Sequence, residues 1–175
     1  MTLTRPLPGE YPEGYAPYIA AAPEGDALTL LQAQLGEVTA LYAGLSEAQG
    51  TYRYAAGKWT LKDLLQHLSD AERIFAYRCL RFGRGDATPL PGFDEDAYAA
   101  AAGAEDRSVA DLLADFRAAR AASLTLFRSL PEAAWGRQGT SNGRVITARC
   151  LPYICLGHAA HHLGVIRERY LPGLK

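Results

Sequence analysis

Thr60-Leu61-Lys62-Asp63-Leu64-Leu65-Gln66-His67-Leu68-Ser69-Asp70-Ala71-Glu72-Arg73-Ile74-Phe75-Ala76-Tyr77-Arg78-Cys79-Leu80-Arg81-Phe82 is the stretch that decides the fold. From Leu61 onward it contains neither Gly nor Pro. Thr60 and Asp63 form the Thr-x-x-acid start of a helix, in which each side chain answers the other residue's free backbone N–H. Leu64, His67, Leu68, Ala71, Ile74, Phe75 and Arg78 recur at spacings of three and four, so they fall near one side. The sequence predicts a helix over 61–82, roughly 33 Å long at 1.5 Å per residue. His67 then lies on a core-facing side, where its ring nitrogens need partners. Asp70, three residues on, can share that face.

The same pattern recurs on both sides of this helix. Asp26 is placed to cap a helix over 27–44 carrying Leu28, Leu31, Leu35, Val38, Leu41, Tyr42 and Leu45. Ser108 and Asp111 repeat the capping pattern ahead of a helix over 109–129, which Leu130-Pro131 ends. Thr147 is a candidate cap for a last helix reaching about Arg169, with Pro152 just beyond its first turn, where it could kink the helix. Residues 83–107 form a long irregular connection, interrupted by a short helix around Asp94–Ala102. Residues 135–147 read as loop, and neither 52–54 nor 144–146 is long enough to build a sheet. Four long amphipathic helices imply an all-α, four-helix bundle. The 83–107 connection can run the full length of the second helix, which permits the second and third to be parallel. The division expected is an irregular arm over 1–25, rich in Pro and Tyr and packed on the domain, and a bundle over 26–175.

Composition limits the function classes. A chain of 175 residues is by default one domain. Lys+Arg 18 against Asp+Glu 19 gives a net charge of −1, which gives no support to a nucleic-acid partner. No apolar run approaches the roughly 20 residues of a membrane span. Met1-Thr2-Leu3-Thr4-Arg5-Pro6 lacks the apolar core of a signal peptide. Three cysteines, Cys79, Cys150 and Cys155, cannot all pair within the chain. The expectation is a soluble, reduced, cytoplasmic protein.

The chemistry concentrates in the last helix. Three of the four histidines fall in Gly157-His158-Ala159-Ala160-His161-His162. His158 and His162 are four apart, so their rings stack one turn above the other. Such a pair can bind one metal ion, as in the His-x-x-x-His pairs of zinc proteases. Ala159 stands where those proteases carry their catalytic Glu, so this is not one of them. A third imidazole can come only from His67. His161, three residues from His158, competes with His162 for the role. A lone histidine on an apolar face is usually a core residue with a satisfied hydrogen bond; three together are harder to explain by packing.

Gly57-Lys58-Trp59-Thr60-Leu61-Lys62-Asp63-Leu64-Leu65-Gln66-His67-Leu68-x-Asp70-x-Glu72, joined to His158-x-x-His161-His162-x-x-x-x-Arg167, resembles the DinB/YfiT family, and the stretch from Gly85 to Phe93 is similar to one of its branches. The resemblance covers about 27–170. It implies a four-helix bundle of up-down-down-up order with a long crossover between the second and third helices. It also implies a metal on three histidines, which match His67, His158 and His162, so the family's register favours His162 over His161. Family members of known activity are metal-dependent thiol S-transferases, including bacillithiol transferases, and the mycothiol-dependent maleylpyruvate isomerase is related. The resemblance further implies a homodimer, and the helices over 27–44 and 109–129 have apolar side chains to spare.

Three neutral imidazoles with open positions describe a catalytic site rather than a closed structural one. Such a set suits Zn²⁺, Ni²⁺, Cu²⁺ or Fe²⁺. Tetrahedral preference and the resemblance put zinc first and nickel next. A bound thiol would be deprotonated, and a bound water made acidic. The expected activity is therefore thiol S-transfer with a low-molecular-weight thiol. The alternatives are a metal-dependent hydrolase and a non-catalytic metal-binding or stress-response protein. Asp70 could fix the tautomer of a ligand histidine by accepting its second N–H, or have no role. Cys155, three before His158, is a fourth-ligand candidate that reads more simply as a small core residue. Phe93 and Tyr98 are candidates to shape the pocket. Arg167 and Arg169 suit the negative end of a helix as surface charges.

Overall fold

The computed structural model describes residues 2–174. Four long helices dominate: α2 (Ala27–Ala43), α4 (Leu61–Gly83), α6 (Val109–Ser129) and α7 (Cys150–Val165). Shorter ones connect or flank them: α1 (Ala16–Ala21), α3 (Glu47–Gly50) and α5 (Glu95–Ala101). The caps explain the starts. Asp26 accepts from Thr29 N–H, and Ser108 accepts from Asp111 N–H. Thr60 and Asp63 form a complete capping box, Thr60 N–H donating to Asp63 at 2.9 Å and Asp63 N–H to Thr60 at 3.0 Å.

Contacts along the helices give their directions. Arg107, just ahead of α6, donates to Gln66 near the start of α4, and Leu130, just past α6, packs on Gly83 at the end of α4. α4 and α6 are therefore parallel. Gln34 of α2 donates to the Leu156 carbonyl at 2.9 Å, and Glu37 pairs with Arg167, so α2 runs with α7. Cys79 near the end of α4 meets Ala148 just before α7, while Tyr170 reaches back to the Trp59 carbonyl, so α4 and α7 are antiparallel. Glu47, past α2, accepts from Val109 N–H at the start of α6, so those two are antiparallel as well. The order is up, down, down, up. Residues 84–107, carrying α5, make the long crossover between the two parallel helices.

The chain between α6 and α7 departs from the sequence reading. It forms a two-stranded antiparallel hairpin, β1 (Gln138–Ser141) with β2 (Arg144–Thr147). The cause is the Asn142-Gly143 pair, both at positive φ (51° and 72°), which makes the tight two-residue turn that matches strand twist. The crossover joins this hairpin: Leu90 N–H donates to the Thr140 carbonyl, and Asn142 N–H to the Leu90 carbonyl. α7 starts at Cys150, not after Thr147, with no side-chain cap on its N-terminus. Pro152 is thus inside the first turn, where its missing N–H leaves no intrahelical bond unmade. Past Val165, Ile166–Tyr170 widen into a π turn.

Two apolar clusters fill the bundle. One gathers Leu31, Phe75, Phe82, Phe127, Ile154 and Leu156 with residues of the arm, including buried Leu3 and Ile19. The other gathers Val38, Leu64, Leu68, Phe116, Leu163 and Ile166. The large apolar side chains left exposed among the described residues are Leu7, Tyr77, Tyr98, Val145 and Leu171, none of them on α2 or α6. No helix of the described residues is long and apolar enough to cross a membrane.

Candidate metal centre

The seam between the two apolar clusters falls where α4 and α7 face each other, and the histidines stand there. The Thr60 cap starts α4 so that His67 comes two turns in. The antiparallel pairing then sets it opposite His158. His67 Nε2 lies 2.8 Å from His158 Nε2, and His162 Nε2 lies 3.2 Å from the same atom. Candidate ligand atoms of the three residues all lie within 4.8 Å of one another. His67 and His158 are buried, and His162 is partly so. His161 is exposed, as the helical turn requires of the residue between two inward positions, and stands outside the trio.

Aromatic rings wall the cluster. Trp59 tilts over His67 with centroids 4.8 Å apart and stacks more distantly on His162. Phe75 and Tyr18 meet His158 edge-on at 5.8 and 5.4 Å. Tyr18 comes from α1, and Gly157 is what lets α1 in. A Cβ at 157 would stand 1.8 Å from the Tyr18 carbonyl oxygen. A cavity of about 340 Å³ opens onto the three imidazoles, with Arg78, Phe93, Glu95 and Asn142 also in its wall.

Burial fixes the charge state. Desolvation pushes His67 down to about 4 and His162 to about 3, and drives His158 well below the ordinary histidine range. All three are therefore neutral near pH 7. A neutral imidazole has one N–H and one acceptor nitrogen, so three Nε2 atoms converging on one point cannot all be satisfied by each other. A cation accepting three lone pairs can satisfy them. Tetrahedral zinc with nitrogen at about 2.0–2.1 Å puts its ligand nitrogens about 3.3 Å apart, near the 3.2 Å between His158 and His162 and somewhat wider than the 2.8 Å between His67 and His158. His162 Nδ1 is buried without a partner, so no protein acceptor claims its other nitrogen. The donor set fits a divalent cation.

The remaining candidates sort by place. Asp70 is not beside an imidazole in the hydrogen-bond network: it accepts from Gln66 at 2.9 Å and lies 3.7 Å from Arg73, part of a polar group that includes Arg107 and Asp115. α4 turns its carboxylate toward α6 and the crossover, because three residues from His67 is not quite one turn. Cys155 is fully buried, and desolvation raises its thiol well above the usual range. It stands outside the histidine group. Phe93 lines the cavity, whereas Tyr98 packs on Phe93 and lines the neighbouring apolar depression instead. Arg167 is an exposed partner of Glu37. Tyr18, Trp59 and Asn142 were not singled out from sequence. Tyr18 lies on the short helix of the arm and the other two in connections; the local signals are the Gly57-Lys58-Trp59 stretch and the Asn142-Gly143 dipeptide.

The sequence model of the DinB superfamily matches residues 30–166. No curated protein matches the chain. Among solved structures, YfiT from Bacillus subtilis, described as a probable metal-dependent hydrolase with an unusual four-helix-bundle topology, is similar with a TM-score of 0.71 and 18% identity, over 81% of this chain and 82% of that one. The mycothiol-dependent maleylpyruvate isomerase is similar with a TM-score of 0.64 and 17% identity, over 79% of this chain. This chain spans 58% of that protein, and at such identities the likeness is one of fold.

Proposed function

The chain belongs to the DinB superfamily, and from that premise we propose that it is a metal-dependent enzyme in which His67, His158 and His162 hold one divalent cation, zinc first and nickel next. The observation that carries this reading is the approach of the three Nε2 atoms, at 2.8 and 3.2 Å, on the wall of a cavity. When bound, the cation supplies a positive charge that favours the ionised form of a small thiol or of water near neutral pH. The chain's own residues do the rest. The imidazoles stay neutral and lend their lone pairs. Trp59, Tyr18 and Phe75 shield them from water. Phe93, on the crossover, shapes the room left for a second reactant.

The reaction we favour is transfer of a low-molecular-weight thiol onto an electrophile held in the same cavity. The thiolate is the attacking species, and no protein cysteine is needed. Burial pushes the Cys150 thiol up to about 11 and raises those of Cys79 and Cys155 well above the usual range. The second reading is hydrolysis, which the description of YfiT favours.

Metal analysis and turnover together test this. Purified wild type should hold close to one zinc or nickel per chain. His67→Ala, His158→Ala and His162→Ala should each lose most of it, and His161→Ala should not. Equal metal in the His162 variant and the wild type would remove the assignment. Metal-loaded protein should then be assayed with a generic electrophile, across several thiols and with none. Thiol-dependent product that disappears in His158→Ala supports transfer, whereas product without thiol supports hydrolysis. Activity that survives full metal removal excludes both.

A further inference from the structure

Arg78 has only 3% of its surface exposed. It lies three turns beyond His67 on α4 and lines the cavity that the imidazoles line. Its Nη2 donates to the Pro91 carbonyl at 2.9 Å, and its Nη1 reaches the Tyr15 hydroxyl only at 3.5 Å. A guanidinium carries five N–H donors, so most are unspent. Arg120, buried to a similar degree, shows the contrast: its Nε and Nη2 donate to both oxygens of Glu72. Arg78 forms no ion pair among the described residues. Phe75 and Phe93 flank it, their centroids 5.9 and 6.0 Å from Cζ. Aromatic faces ease the burial of a cation without replacing an anion. The Pro91 carbonyl is itself fixed, because the hairpin holds Leu90 on both sides. The guanidinium is therefore preorganised rather than free to leave.

Phe75 also connects this cation to the histidines, since it meets the His158 ring edge-on at 5.8 Å. Guanidinium and imidazoles line one cavity, so a single bound molecule can face both. We infer that Arg78 receives a carboxylate of the small molecule whose reacting end lies at the three imidazoles. The inference rests on the proposed function for that site and adds a substrate class: a small organic acid rather than its neutral analogue. The planar fork of arginine matches a carboxylate with two parallel N–H bonds. Glu95 lines the same cavity but is exposed, so water and salt screen its repulsion.

The test compares two thiols that differ only in this group, N-acetylcysteine and N-acetylcysteine amide, by calorimetry on zinc-loaded protein. Wild type should bind the acid about tenfold more tightly or better, the scale of a charge-assisted hydrogen bond. Arg78→Gln should bring the ratio near one and leave the affinity for the amide about unchanged. Should that variant not fold, Arg78→Lys keeps the charge, loses the fork, and should cut the ratio severalfold. If the variants weaken both probes equally, Arg78 only supports the crossover and the inference falls. It falls too if wild type binds the two alike, or binds neither at millimolar concentration. Failure of the metal-thiol reading looks different: the preference for acid would persist without zinc, and N-acetylalanine would bind as well as N-acetylcysteine.

Discussion

Desolvation holds His67 at about 4 and His162 at about 3 and drives His158 well below the ordinary range too, whereas an unfolded histidine titrates near 6.5. Between those values the unfolded chain binds protons that the folded chain refuses. Stability of the metal-free protein therefore falls as pH drops from about 6.5 toward about 4, by at most about 1.4 kcal/mol per pH unit for each histidine. Above pH 7 both states are neutral at these positions and the contribution is flat. Urea midpoints of chelated protein should be level from pH 8 to 7 and then decline to pH 5, a range in which most carboxylates stay ionised. His67→Gln should make the decline shallower. A midpoint constant from pH 7 to 5 would contradict the burial that depresses these rings. At this scale the ligand set was legible, because spacing alone puts His158 and His162 on one face. Asp70 was not legible, since a three-residue step leaves its direction undecided between His67 and the α6 side. Arg78 was visible as a residue on the inner face, but its lack of an anion is a property of the packed molecule.

A helix start is legible in the sequence where a side-chain cap marks it. Asp26, Thr60 and Ser108 all bond the N–H expected of them, so α2, α4 and α6 begin where the sequence put them. α7 has no side-chain cap, and it starts two residues later than a Thr147 cap would put it. The hairpin is hard to see in the sequence for a related reason. Its strands are four residues each and lack a regular apolar alternation, leaving only the Asn142-Gly143 turn as evidence. Gly157 carried no signal at all, because what it meets is the backbone of α1. Gly157→Ala puts a methyl into the Tyr18 carbonyl, and a main chain cannot swing aside as a side-chain tip can. The variant should lose about 1–3 kcal/mol, the usual cost of overpacking, and Tyr18 should leave His158. Gly164 provides the control, on the same helix with open space around it. Gly164→Ala should gain up to about 1 kcal/mol from helix propensity. Denaturant melts of the pair should move in opposite directions; a shared direction would mean that α1 does not press on α7.

The whole molecule brings its four long helices together through one buried polar group. Arg120 of α6 donates to Glu72 of α4 and, at 3.1 Å, to both the Leu31 carbonyl and Gln34 of α2; Gln34 then donates to the Leu156 carbonyl of α7. Leu156 is two residues before His158, so the network that fixes the register of α7 also fixes where its imidazoles stand. The apolar clusters on either side of that seam belong to the helices and not to any ion. Metal removal should therefore loosen the molecule without unfolding it. A ligand that binds only the folded state at 100 times its dissociation constant adds about 2.7 kcal/mol. In a chain of this size each kcal/mol moves the melting temperature by about 2–4 °C. Chelation should lower the melting temperature by about 5–10 °C with the far-ultraviolet helix signal intact, and added zinc or nickel should restore it. His158→Ala should melt at one temperature whether or not metal is supplied. A wild-type melting temperature unmoved in protein verified to be metal-free would show that the three imidazoles draw no stability from a cation.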